Sequence, residues 1–162
     1  MEIPSRFRVH ETDFWLINHR LDSALPGYLM LGSKLQVSDL SEVPDDALAT
    51  LGPLLARAQR SLKTRLNPTR IYIGRYGHSR GYPVHFHLIP VYDWVEKLFL
   101  RDDKYRVFEQ FAEKDRVMPG GPDGAELTLF IWREFCERLN PPPIAGPSID
   151  ETIVMLREEM NG

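Results

Sequence analysis

The chain has one cysteine, Cys136, in 162 residues, so no intrachain disulfide can form and a disulfide-stapled scaffold is excluded. It has no apolar run approaching the roughly 20 residues that a membrane helix needs. Its first residues, Met1-Glu2-Ile3-Pro4-Ser5-Arg6, lack the apolar stretch of a signal peptide. These absences predict a chain folded in water, with a cytosolic address and no membrane partner. An excess of one charge is missing too: 20 Lys and Arg face 23 Asp and Glu, a net charge of -3. Composition therefore supplies no bulk attraction to a nucleic acid polymer, and any phosphate site must be local. The glycines of Met118-Pro119-Gly120-Gly121-Pro122 lack the spacing and the Lys-Ser/Thr of a nucleotide P-loop and read as a turn. What is present is an ordinary globular balance, 43% hydrophobic and 27% charged, in a length that suits one domain with a sizeable core.

The pattern predicts an α+β chain. Arg6 to His10 and Phe14 to Arg20 are short runs rich in aromatic and branched residues, with a turn at Glu11-Thr12-Asp13, and read as a hairpin. Tyr28 to Leu31 follows as a third strand. Leu48, Leu51, Leu54, Leu55, Ala58, Leu62 and Leu66 recur at steps of mostly three and four, which predicts a helix from Pro44 to Leu66. Asp45 and Asp46 favour its start, Pro53 predicts a kink, and Asn67-Pro68 ends it. Strands are expected at Arg70 to Tyr76 and Val84 to Tyr92, with short helices at Trp94 to Leu100 and Tyr105 to Phe111. Asp123 with Glu126 has capping-box spacing before the apolar stripe Leu127, Phe130, Ile131, Phe135 and Leu139, so a helix is expected from Asp123 to Leu139. Ser148 with Glu151 repeats the box for a last helix. Trp15, Trp94 and Trp132 read as core, Cys136 as a packing residue, and Arg57, Arg60, Lys63 and Arg65 as a solvated helix face.

Three of the five histidines, His78, His85 and His87, fall within ten residues. On a strand, residues two apart share a face, so the imidazoles of His85 and His87 project side by side while Val84, Phe86 and Leu88 pack behind them. Such a pair suits three roles. It can be two half-buried sheet residues bonding to loops. It can be half of a metal site, which then needs a third ligand such as His78 because no carboxylate or cysteine follows at short spacing. Or one imidazole can attack phosphorus, splitting one hard displacement into two easier ones. That last role asks for donors to the phosphate, which Ser79, Arg80 and the amides of the Gly77 to Gly81 loop can supply.

The run Pro83-Val84-His85-Phe86-His87-Leu88-Ile89-Pro90 resembles the histidine-triad motif, three alternating histidines followed by two apolar residues and often a proline. Anchored on Ile89-Pro90, the family's nucleophile falls on His85 and its third histidine on His87. The upstream runs Leu16-Ile17-Asn18-His19-Arg20 and Leu25-Pro26-Gly27-Tyr28-Leu29-Met30-Leu31-Gly32-Ser33-Lys34 resemble the family's nucleotide-pocket strand and Pro-Gly-His strand. That places Asn18 at a ribose contact. The likeness covers Phe7 to Val91. Two positions depart from it: Pro83 replaces the first histidine, and Tyr28 the histidine of Pro-Gly-His. A proline side chain cannot donate to a phosphate or a leaving group, a role left to His78, Tyr82 or His19.

The resemblance implies a histidine-triad-like antiparallel sheet flanked by helices over residues 1–120, with a helical extension over 121–162 packed on the same domain. It also implies a homodimer and a small-molecule nucleotide substrate. The implied activity is that of a hydrolase or nucleotidyl transferase acting on a phosphoanhydride, phosphoramidate or dinucleoside polyphosphate through a nucleotidyl-His85. In it His85 and His87 are the catalytic pair, His87 orienting and stabilising the phosphate, while Asn18, His78, Ser79 and Arg80 bind substrate, and neither a metal nor another cofactor is called for. The rivals are a nucleotide-binding protein without turnover and a metal-dependent hydrolase ligated by His78, His85 and His87.

Overall fold

The computed structural model describes residues 2–76, 82–106 and 122–162. Five strands form one antiparallel sheet: β1 (Arg8–Glu11), β2 (Trp15–His19), β3 (Leu29–Ser33), β4 (Arg70–Gly74) and β5 (His85–Val91), in spatial order β1-β2-β3-β5-β4. The first hairpin starts later than expected, because Ser5–Phe7 is a 3-10 turn and Glu11 is still paired, with Leu16. The helices are α1 (Asp45–Leu66), α2 (Asp93–Leu100), α3 (Gly124–Trp132) and α4 (Ile149–Asn161). Among the described residues no helix is long and apolar enough to cross a membrane.

Strand parity divides the core in two. Trp15, Ile17, Leu29, Leu31 and Leu88 face α1 and α4, meeting Ala47, Leu54, Ala58 and Leu62 from the first and Ile153, Leu156 and Met160 from the second. The Trp15 indole is wholly buried, and its N–H donates to the Ala47 carbonyl at 3.1 Å, so its polar edge is satisfied. The other face carries Tyr28, Ile89 and Val91, with Met30 and Tyr72, against Val95, Phe99, Leu127, Phe130, Ile131 and Phe135. The carboxy-terminal segments thus pack on the same face of the sheet as that on which His85 and His87 stand.

Several local rules operate as the sequence predicts. Helix α1 stops at Asn67, whose left-handed φ of 47° lets its amide bond back to the Lys63 carbonyl; at Pro53, where the sequence predicts a kink, it is one continuous helix through exposed Gly52 and Pro53. Pro90 fits an inner strand because pairing with β3 ends at Leu88, so beyond it β5 has β4 alone as neighbour. Both arms of the Ser148–Glu151 box form, and we expect Ser148→Ala to cost about 1 kcal/mol in a denaturant melt.

Two expectations about the carboxy-terminal third fail. The helix from Asp123 does not continue in α geometry to Leu139: it widens into a π turn over Arg133–Glu137 and ends at Arg138. The turn is held by Glu134, buried within the packed wall, which accepts from the Tyr105 hydroxyl at 2.6 Å and is bridged by Arg138. Leu139 therefore leaves the apolar stripe and is 93% exposed. Trp132 is exposed as well, whereas Trp15 is core and Trp94 packs edge-on against Phe135. Of the helix expected at Tyr105 to Phe111, only Tyr105, the last residue of a 3-10 turn over Asp103–Tyr105, and Arg106 are described; the rest from residue 107, like most of the Met118 to Pro122 turn, lies outside the described residues.

Candidate active site

Register sets the site. Asn18 pairs with Met30, Met30 with His87 and His87 with Gly74, while Gly32 pairs with His85. Paired residues in adjacent strands share a face, so Asn18, His87 and His85 stand on one side of the sheet, with their ring centroids 5.3 Å apart for the two histidines. Phe86 and Leu88 pack behind them as expected.

His85 is half-buried. Its Nδ1 lies 2.9 Å from the carbonyl oxygen of Pro83. A carbonyl only accepts, so Nδ1 carries the hydrogen and donates it; in the neutral ring the lone pair then sits on Nε2. The residue that cannot act through its side chain thus serves His85 through its backbone. The preceding segment is anchored by the Val84 amide, which donates to Val37, and by the Val84 carbonyl, which accepts from Ser33.

His87 is 8% exposed. Burial first, then the charges of Arg20 and His85, push its pKa down to about 4, with Asp22 opposing. It is neutral near pH 7. Tyr76 lies edge-on to it with ring centroids 5.2 Å apart, an approach Gly74 permits: a Cβ there would meet the Tyr76 ring at 2.7 Å. On its other side the Tyr28 hydroxyl is 3.0 Å from His87 Nδ1. Tyr28 follows Gly27, whose φ of +78° and whose crowding against Leu62 and Leu66 exclude a side chain.

No protein-family model and no curated protein matches the sequence. Solved structures do match. A Hit-like protein involved in cell-cycle regulation from Bartonella henselae superposes with a TM-score of 0.55 at 15% identity, covering 97% of this chain and 88% of that one. A uridylyltransferase gives 0.58 at 16% identity, over 98% of this chain and 42% of the other. The diadenosine triphosphate hydrolase of Plasmodium falciparum gives 0.55 at 13% identity, over 99% and 80%. The chain has the histidine-triad fold.

Within that fold His85 and His87 occupy same-side positions of β5, and Pro83 lies two residues before the strand begins. Asn18 lies on the same face, 5% exposed, its amide donating to the His19 carbonyl at 2.8 Å. His78, Ser79 and Arg80 lie outside the described residues. Among the described residues no three His, Cys, Asp or Glu side chains converge as a metal site, and the third ligand that the metal reading needs, His78, is not among them. His19, one of the three residues expected to supply a donor in place of Pro83, is fully buried, with its ring nitrogens 2.9 and 3.1 Å from the Arg20 and Leu25 carbonyls. Tyr82 is exposed.

The sequence reading passed over Arg20 and gave Tyr28 no role. A signal was available, since Arg20 is two residues beyond Asn18 and so on the site's face. Arg20 and Tyr28 continue the β2–β3 ladder, the Arg20 amide donating to the Tyr28 carbonyl at 2.8 Å.

Proposed function

We propose that this chain is a histidine-triad-type nucleotide hydrolase or nucleotidyl transferase in which His85 is the nucleophile. The observation that carries the reading is the bond from His85 Nδ1 to the Pro83 carbonyl, which leaves the lone pair on Nε2 of a histidine set beside a second imidazole. Two proteins of the same fold bear the names of a diadenosine triphosphate hydrolase and a uridylyltransferase, and both names fit a chemistry at phosphorus.

In the proposed reaction Nε2 attacks the α-phosphorus of a phosphoanhydride, phosphoramidate or dinucleoside polyphosphate. A nitrogen–phosphorus bond forms as the bond to the leaving group breaks, and the leaving group takes the electron pair. The imidazole gains positive charge, which the Nδ1–H···O=C bond stabilises. Water or another acceptor then attacks the same phosphorus, the pair returns to Nε2, and the acceptor's proton is released. His87 binds a phosphate oxygen, Asn18 the ribose, and His78, Ser79 and Arg80 donate to the phosphates. Residues 1–120 form the catalytic unit, 121–162 its helical cover, and the working particle is a homodimer, which sedimentation at micromolar concentration tests.

Pro83 favours one second reading, a nucleotide-binding protein without turnover, because its side chain cannot protonate a leaving group. A panel of nucleotide conjugates and dinucleoside polyphosphates, with intact protein mass followed during incubation, separates the two. Product with a transient nucleotidyl adduct supports the enzyme; binding with neither supports the second reading.

A further inference from the structure

We propose that Tyr28, held by Arg20 and Asp22, is a positioning residue that fixes His87 as the Nε2–H tautomer and so presents an N–H, not a lone pair, to the substrate. The guanidinium of Arg20 grips Asp22 with two donors, Nε at 2.6 Å and Nη2 at 3.1 Å. Its third group, Nη1, donates to the Tyr28 hydroxyl oxygen at 3.0 Å, and the guanidinium carbon lies 5.0 Å from the Tyr28 ring centroid. The Arg20 side chain is 16% exposed and Tyr28 2%, so this arrangement is built into the protein.

Direction follows from donor arithmetic. Arginine only donates, so the Tyr28 oxygen accepts on that side and its own hydrogen is free for the other partner at 3.0 Å, His87 Nδ1. Burial pushes the phenol up to about 12, so that hydrogen is retained at neutral pH. A neutral His87 receiving it at Nδ1 must carry its own hydrogen on Nε2. The bond also sets the ring plane, which Tyr76 borders edge-on. Among the described residues, the charged and titratable groups around His87 are Arg20, Asp22, His85, Tyr28 and Tyr76. A neutral N–H donor beside the nucleophile suits an anionic phosphate oxygen, and a lone pair there would repel it.

The catalytic consequence rests on the proposed reaction, whereas the tautomer does not, so the test reads them separately. In protein labelled with 15N-histidine, His87 Nδ1 of the wild type should show the shift of a ring nitrogen accepting a hydrogen bond, with the hydrogen coupled to Nε2. Tyr28→Phe should move Nδ1 toward the unbonded value and raise the His87 titration midpoint, because a bond made only to the neutral ring is lost. Arg20→Gln should give a smaller movement of the same sign. Against a substrate found in the conjugate panel, Tyr28→Phe should lower kcat about 10- to 100-fold with KM nearly unchanged, and Tyr28→His, which restores a ring N–H donor, should recover part of it. His87 resonances and midpoint unchanged in folded Tyr28→Phe would overturn the inference, even if kcat fell. Shifted resonances in a protein that turns over nothing would uphold the tautomer and reject the nucleotide reaction.

Discussion

His85→Ala should abolish turnover and adduct formation together, while His87→Ala leaves a residual rate about 10- to 1,000-fold below wild type. The asymmetry follows from what each ring does. With Nδ1 bonded to Pro83 at 2.9 Å, His85 offers the lone pair that forms the covalent bond, and alanine offers none, so the two-step route closes. His87, bonded through Nδ1 to Tyr28, offers placement and one donor; losing it misplaces the phosphate without removing the route. The fold should survive both changes, which circular dichroism checks, since the fully buried packing side chains of β5, Leu88, Ile89 and Val91, are touched by neither. Equal rates in His85→Ala and wild type would move the chemistry elsewhere.

The second large effect is a loss of stability in mild acid. His87 has its pKa lowered from 6.5 to about 4, so between those values the unfolded chain binds a proton that the folded chain refuses. Stability therefore falls as pH drops from about 6.5 to 4, by about 3 kcal/mol from this group, and below that window His87 adds nothing further. His19 acts with the same sign, its pKa lowered by burial against the opposing pull of the Arg20 and Leu25 carbonyls. Denaturant melts of wild type and His87→Gln across this range should converge toward acid, because glutamine cannot take up the proton. Parallel curves would show that His87 is not held neutral by the fold. Carboxylates titrating near the lower end affect both curves alike.

The elements that were legible in the sequence are those whose signal is local. The leucine spacing of α1, the Ser148–Glu151 box and the alternation around His85 each lie within one run of residues, and each forms as read. The π turn was not legible from its own run, and one of the contacts made there, from Tyr105 to Glu134, spans 29 residues. The apolar stripe runs correctly through Phe135 and fails at Leu139, which lies beyond the end of the helix. Within the site, the shared face of His85 and His87 followed from strand parity alone. Tyr28 lies 59 residues from His87, and their contact depends on the β3–β5 register, which no single run encodes. Pro83 shows the converse limit, since its identity reads as a loss of function while its carbonyl, common to every residue, carries the bond to His85.

The covalent step is the part of the proposed mechanism most open to direct measurement. Wild-type protein mixed with a turned-over nucleotide conjugate, quenched within one turnover and digested at neutral to alkaline pH, should yield one peptide carrying the nucleotidyl mass, fragmenting to a modified His85. His85→Ala should yield none. An adduct on another residue, or rapid product formation with no adduct on His85 at any quench time, would contradict it.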